Sequence, residues 1–378
     1  MSDIQDIINL RHTLHRYPEL SNLEFETSRR ISAFMQQFKP QEELHISKTG
    51  KAFVFEGKEP GETLIFRCEL DALPIQEKSH NLAYRSSING VAHLCGHDGH
   101  MAVIARLGQM IAKNRPKKGK AVLLFQPAEE TYLGAKDVVE SPEFHSLSPD
   151  YIFAMHNIPG APKNKVLVKE GSFSAASCGL TIQLEGLTSH ASEPEKGFNP
   201  YDTAKEIITE IKKIAGNNDD FSDHTIATLI YIRLGEISFG ISPGSLEMGI
   251  TLRAYENKDL ELLCHKSEDI VRSLAREAKL EYHWSYSEEY PATVNDPECV
   301  KIILESAHKN KLGTEEMQKP NNWSEDFAYY TATNRGAQFG FGAGEDQPPL
   351  HNPEYDFPDD IIDPAANIFF EIYNQRLR

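Results

Sequence analysis

Leu64-Ile65-Phe66-Arg67 runs directly into Cys68-Glu69-Leu70-Asp71, an apolar run that ends in acid. A short apolar run bounded by polar residues predicts a buried strand. The same passage occurs twice more. Val122-Leu123-Leu124-Phe125 leads into Gln126-Pro127-Ala128-Glu129-Glu130, and Ile152-Phe153-Ala154-Met155 leads into His156-Asn157. Helical periodicity over Met101–Ala112 and Leu133–Val139 separates the runs, and such alternation predicts an α/β fold with a largely parallel or mixed sheet. In open α/β sheets ligands bind beyond the carboxyl ends of the strands, so these three polar segments are predicted to converge. A fourth, His93-Leu94-Cys95-Gly96-His97-Asp98-Gly99-His100, stands just before the Met101–Ala112 helix and concentrates three histidines, a cysteine and an aspartate.

Working outward, the first forty residues read as helix, with Leu10, Leu14, Ile31, Phe34 and Met35 on recurring apolar positions and Pro18 interrupting. Ala52–Phe55 reads as a further strand. Near Ser177 the pattern changes to strand (Leu180–Leu184), helix (Pro200–Ile214), strands (Thr225–Arg233, Leu246–Arg253), helix (Asp259–Ala278) and strand (Glu281–Tyr286). That is a self-contained α+β unit of domain size. After Pro291 the alternation resumes with helices near Cys299–Lys309 and Glu325–Tyr330, a strand at Ala337–Phe341 and a final helix from Ile361. The expected organisation is a larger α/β domain, residues 1–176 and 290–378, with an inserted domain at 177–289.

The bulk numbers narrow the function. At 378 residues the chain is too long for one simple core. A formal net charge of −17 opposes binding to nucleic acid or to anionic membranes, both of which need a basic face. Met1-Ser2-Asp3-Ile4-Gln5-Asp6 has neither the basic nor the apolar region of a secretory signal. No run of about 18 apolar residues is present to span a membrane. Five scattered cysteines, an odd number, fit free thiols in a reducing compartment, so the expected location is the cytoplasm.

Each chemical segment has a plain reading when taken alone. His156 at a strand end is more often a hydrogen-bonded structural residue than a ligand. Glu129-Glu130 is more often a helix-start pair favoured by the macrodipole. Cys95 and His97, two residues apart, suit zinc-like ions, yet no second cysteine lies near enough for a structural zinc finger. A cysteine nucleophile with a histidine base is a further alternative, but it leaves the glutamate pair without a task. Together the segments favour metal chemistry.

The chain resembles the aminoacylase, hippurate hydrolase and auxin-conjugate hydrolase group of co-catalytic two-metal metallopeptidases. The matching segments span nearly its whole length: Leu10-Arg-His-Thr-Leu-His-Arg-Tyr-Pro18-Glu19-Leu20-Ser21, Arg67-Cys-Glu-Leu-Asp71-Ala-Leu-Pro74-Ile75, Cys95-Gly-His97-Asp98-Gly-His100, Gln126-Pro-Ala-Glu129-Glu130, Ser189-His190-Ala191, Ser324-Glu325-Asp326-Phe327 and His351-Asn-Pro353-Glu-Tyr-Asp356-Phe357. Any one is weak; their order and spacing together are specific. The resemblance implies a mixed-sheet catalytic domain of zinc-exopeptidase type with an inserted α+β lid and dimerisation domain. It implies two divalent metal ions, zinc, manganese, cobalt or nickel, held by Cys95, His97, Glu130, His156 and His351, with Cys95 bridging. Asp71 is implied to orient a ligand histidine, and Glu129 to serve as general acid/base for a metal-activated water. It further implies that His190 reaches the active site of a partner copy to stabilise the oxyanion, and that Arg253 binds a substrate carboxylate. The implied reaction is cleavage of the amide bond of N-acyl amino acids or similar small conjugates. A dipeptidase or aminopeptidase with the same centre is the alternative, and a non-catalytic metal-binding interaction protein a third reading.

Three departures fall on or near the pattern. Gly240 stands where an asparagine is usual, Thr131-Tyr132-Leu133 replaces a run of glycines after the glutamate pair, and Glu69 stands where aspartate is commoner. They bear on the substrate pocket and leave the implied ligand set intact.

Overall fold

The computed structural model describes residues 4–79, 81–217 and 219–378; Met1-Ser2-Asp3, read above for a secretory signal, lie outside the described residues. By internal contacts the chain divides into two compact units, one of residues 1–173, 293–319 and 325–378, the other of residues 174–292 and 320–324.

The first unit is built on an eight-stranded mixed sheet. In spatial order it runs Glu42–Ile46, Gly50–Glu56, Lys118–Gln126, Glu59–Glu69, Tyr151–Pro159, Gly336–Gly344, Val166–Val168 and Thr314–Glu316. Its four central strands, from Lys118–Gln126 to Gly336–Gly344, are mutually parallel. Both faces are covered, which explains why these strands read as continuous apolar runs. Phe53, Phe55, Leu64, Phe66, Leu123, Phe125 and Phe153 enter one core with the helices Ile4–Arg16, His97–Lys113, Pro297–Lys309 and Ile362–Leu377. Their neighbours Ala52, Val54, Ile65, Val122, Leu124 and Ile152 enter a second core on the opposite face, with Val138, Phe144 and Tyr330. The period of two sends alternate residues to opposite faces.

The central parallel strands all point their carboxyl ends the same way. Glu69, Gln126 and His156 close or nearly close three of them, and the chain leaving Gly344 leads to His351. The helix expected at Met101–Ala112 starts four residues earlier, at His97 itself, after Gly96 in the left-handed region at φ 94°. The helix expected over Glu325–Tyr330 is a single turn, Ala328–Thr331. Glu325 and Asp326 precede it because their carboxylates bind Arg67.

The second unit is a four-stranded antiparallel sheet ordered Thr225–Leu234, Ser245–Ala254, Ala176–Glu185, Glu281–Tyr290. The helices Tyr201–Ala215 and Asn257–Glu277 share its core with Leu180, Ile182, Met248, Ile250 and Leu252. Pro320–Ser324, read from sequence as part of the larger domain, packs with this unit. Asn321 forms a parallel bridge with Ser174, and the Ala175 N–H donates to Asn321 O at 3.0 Å. No helix among the described residues is long and apolar enough to cross a membrane.

Candidate metal centre

Asp71, Cys95, His97, Glu129, Glu130, His156 and His351, scattered over 280 positions of sequence, assemble in the first unit. Cys95 Sγ, His97 and His156 offer donor atoms within 4.8 Å of one another, and so do Cys95, Glu130 and His351. The two groups share Cys95. His156 Nε2 lies 3.6 Å from Cys95 Sγ, and His351 Nε2 lies 3.8 Å from Glu130 Oε1. A third group, His97 with Glu129 and Glu130, overlaps both, His97 Nε2 lying 3.8 Å from Glu129 Oε2.

Each ring is aimed from behind. His97 Nδ1 faces Asp71, 2.9 Å from its carbonyl oxygen and 3.3 Å from Oδ1, so Nε2 turns toward the cluster. His156 Nδ1 contacts the Asn157 carbonyl at 3.0 Å, which turns its Nε2 toward Cys95. Fixing one ring nitrogen selects the tautomer that presents the other. His100, from the same segment, is excluded from such a role because both nitrogens are engaged, Nδ1 with Glu69 Oε2 at 2.6 Å and Nε2 with Asn157 Oδ1 at 2.5 Å.

The glutamate pair stands on a 3-10 turn, Glu129–Thr131. Ala128 and Tyr132 flank it in the left-handed region, at φ 56° and 60°. Such backbone in residues with side chains needs support from outside. Buried Glu24 supplies it by accepting the Ala128 N–H at 2.9 Å, and Asp71 Oδ2 accepts the Glu130 N–H at 2.9 Å. The two carboxylates share the group with His97, and beyond it Glu130 reaches His351 while Glu129 reaches Glu325 and Asp326. Sequence reasoning missed the residues underneath. Arg67, fully buried, binds Glu69, Glu325 and Asp326, and Asp326 also accepts from Gln126 and the Ala135 N–H.

The donor set fits divalent cations. His97 Nε2 and Glu130 Oε1 are buried with no hydrogen bond aligned on them, a cost that a bound cation removes. Burial, then repulsion from Glu325, Glu130 and Asp326, pushes the Glu129 carboxyl well above its ordinary value. Burial outweighs His97 and pushes Glu130 up to about 7, while burial holds His156 down to about 3. Glutamates that resist ionisation beside a His156 ring that resists protonation are what a cation would stabilise.

The other two expected site residues lie in the second unit. His190 is exposed on the short strand Ser189–His190, paired with Ile241–Ser242. Its Nδ1 accepts the Ser192 N–H at 3.1 Å, so the neutral ring carries its proton on Nε2. The Arg253 guanidinium donates to two neutral oxygens, Asn322 O at 3.1 Å and Ser324 Oγ at 2.9 Å. It borders a cavity of about 230 Å³ lined also by His224, Thr228, Tyr255 and Asn322.

A mixed α/β sheet carrying a Cys/His/Glu cluster beyond its parallel central strands, joined to an antiparallel α+β unit, defines a metallohydrolase-type architecture. Residues 65–375 match the model of peptidase family M20/M25/M40, and the chain belongs to that family. It is 29% identical to the hippurate hydrolase of Campylobacter jejuni, over 96% of this chain and 94% of that one. It is equally 29% identical to an N-acetyl-L-cysteine deacetylase of Bacillus subtilis, over 97% of this chain and 87% of the other. A Bacillus subtilis crystal structure, of a dinuclear metal-binding peptidase from the M20 family, superposes with a TM-score of 0.84 at 27% identity, covering 98% of this chain and 97% of that one.

Proposed function

We propose that this protein hydrolyses the amide bond of N-acyl amino acids, with two divalent cations held by Cys95, His97, Glu130, His156 and His351. The observation that carries the reading is the pair of donor groups sharing Cys95 at the ends of parallel strands. The names of the relatives, a hippurate hydrolase and a deacetylase of an N-acetylated amino acid, support the substrate class. Bound there, the cations would supply positive charge that polarises the scissile carbonyl and acidifies the attacking water. The protein's own groups do the rest. Glu129 takes the proton from the water on its carboxylate and delivers it to the leaving amine. Asp71 keeps the His97 ring turned inward throughout. A thiolate with three imidazoles favours zinc by softness.

The inserted unit supports substrate recognition in this reading. Arg253, half-buried with only neutral partners, suits a substrate carboxylate. His190 presents an Nε2–H donor suited to an oxyanion. The edge strand Thr225–Leu234 exposes Ile226, Ile230 and Ile232, a surface suited to a second copy of the chain. Five free cysteines support a cytoplasmic location.

The test is a turnover panel of N-acetyl amino acids, hippurate and dipeptides, run on metal-loaded protein and on Glu129→Gln. Acylated amino acids should be cleaved in preference to free-amine dipeptides. Glu129→Gln should bind as much metal as the parent and lose about a hundredfold or more of kcat, the usual weight of a general base. Full turnover by Glu129→Gln, or dipeptides preferred over acyl substrates, would refute the reading.

A further inference from the structure

The segment Arg11-His12-Thr13-Leu14-His15 has no task in the chemistry above, yet Arg11, His12 and His15 enter one network beneath the metal centre. Arg11, fully buried on the helix Ile4–Arg16, donates from Nη1 to Asp98 Oδ2 at 2.9 Å and to Asp356 Oδ1 at 3.0 Å. Its Nε donates to Asp359 Oδ1 at 2.6 Å. One guanidinium therefore joins the residue that follows His97 to the loop that carries His351. His15 Nδ1 lies 3.0 Å from the same Asp98 oxygen, and Tyr84 OH donates to Asp356 Oδ2 at 2.6 Å. The His12 ring stacks on Tyr84 at 3.6 Å and contacts Asp359 Oδ2 at 2.8 Å.

His351 depends on such support. Its φ of 65° is in the left-handed region, so its backbone is held from outside rather than preferred by the residue. Its N–H donates to Leu94 O at 2.9 Å, beside Cys95. Asn157 Nδ2 donates to Tyr355 OH at 2.5 Å, beside His156. The Phe357 ring lies so close over Gly99 that a Cβ there would come within 2.2 Å of it. With Arg11 included, the loop is tied to the neighbourhoods of Cys95, His97 and His156.

We propose that Arg11 is a positioning residue for the Cys95–Glu130–His351 group. By holding Asp98 and Asp356 on one planar fork, it sets the distance from the start of the His97 helix to the His351 loop, and with it the affinity of that group for its cation. A guanidinium can bind several carboxylates in fixed directions, and a lysine ammonium cannot. The inference rests on the two-cation reading above. A purely fold-stabilising network would leave the ratio of the two affinities unchanged.

The experiment is a titration of metal-free, full-length protein with zinc against a competing chelator, with elemental analysis of the bound ions and circular dichroism as a folding check. The parent, Arg11→Lys, Tyr84→Phe, His351→Ala and the Arg11→Lys/His351→Ala double variant are compared. The parent should bind two ions, the weaker of them lost in His351→Ala. Arg11→Lys should weaken that ion by about tenfold or more, the usual weight of a residue behind a ligand, and the other by less than about twofold. The double variant should bind its remaining ion as His351→Ala does. Tyr84→Phe, which removes one contact at the partly exposed edge of the network, should shift the same ion in the same direction by less; it decides the matter alone if Arg11→Lys does not fold. Superimposable titrations, or equal weakening of both ions, would overturn the role of Arg11. A parent that binds fewer than two ions would instead overturn the two-cation reading beneath it.

Discussion

Asp71 and His97 meet twice. The His97 Nδ1 lies 2.9 Å from the Asp71 carbonyl oxygen and 3.3 Å from its Oδ1. The other carboxylate oxygen accepts the Glu130 N–H at 2.9 Å and the Ser21 hydroxyl at 2.7 Å. One buried carboxylate thereby aims a histidine of one donor group and anchors the backbone of a glutamate in the other.

Asp71→Asn should weaken metal binding by about 10–100-fold, because an amide removes the charge that holds the His97 tautomer. Chelator competition on folded protein measures it. Affinity equal to the parent would show that the carbonyl contact alone positions the ring.

The pH dependence of stability should carry a contribution from His15. Burial alone would lower this imidazole, but the carboxylates of Asp98 and Glu77 together outweigh burial and raise it from 6.5 to about 9. A raised folded value means the contribution is complete below pH 6.5 and is lost as pH climbs through about 9. The loss amounts to at most on the order of 3 kcal/mol, since a tenfold change in proton affinity is worth about 1.4 kcal/mol. Urea melts of the parent from about pH 6 to about pH 10 should show the decline, and His15→Gln should flatten it. A variant that declines as steeply as the parent would refute the assignment.

Gly99→Ala pits two effects against each other. Within a helix alanine gains up to about 1 kcal/mol over glycine. Here the new methyl meets the Phe357 ring at 2.2 Å, and Phe357 is fully buried with no room to retreat. Overpacking of this kind costs about 1–3 kcal/mol, so the variant should be less stable on balance. Thermal denaturation checks the sign.

Gly240→Asn should be tolerated. A Cβ at this position meets nothing within 4 Å, and the residue is not among the glycines of positive φ. Its carbonyl accepts the Ala191 N–H at 3.0 Å, next to His190. The melting temperature should stay within about 2 °C of the parent, as for other surface changes. The asparagine adds a polar group close to His190, and KM on the acyl-amino-acid panel should change more than stability does. An unchanged panel would show that this loop takes no part in substrate binding.

Much of the first unit was legible because its strands are buried on both faces, and unbroken runs such as Val122–Phe125 have no other economical fold. The ends of those runs marked where ligand-type residues collect. The short strands Glu42–Ile46 and Thr314–Glu316 were not visible, since they lie at the sheet edges with mixed burial and a weak pattern. The turn at Glu325–Phe327 read as helix because its apolar spacing is helical. Charge decides otherwise, for Arg67 pulls Glu325 and Asp326 out of the helix.

By itself the sequence determined the residue types of the centre, their attachment to strand ends and the change of pattern at the inserted unit, because all three depend on local composition and periodicity. Only the tertiary structure decided that His100 is committed to Glu69 and Asn157, that Cys95 belongs to two donor groups, and that Arg11 binds Asp98 and, across 345 positions of chain, Asp356. A hydrogen bond is set by a few tenths of an ångström and a direction. Spacing along the chain carries no information on either until the sheet brings the strand ends together.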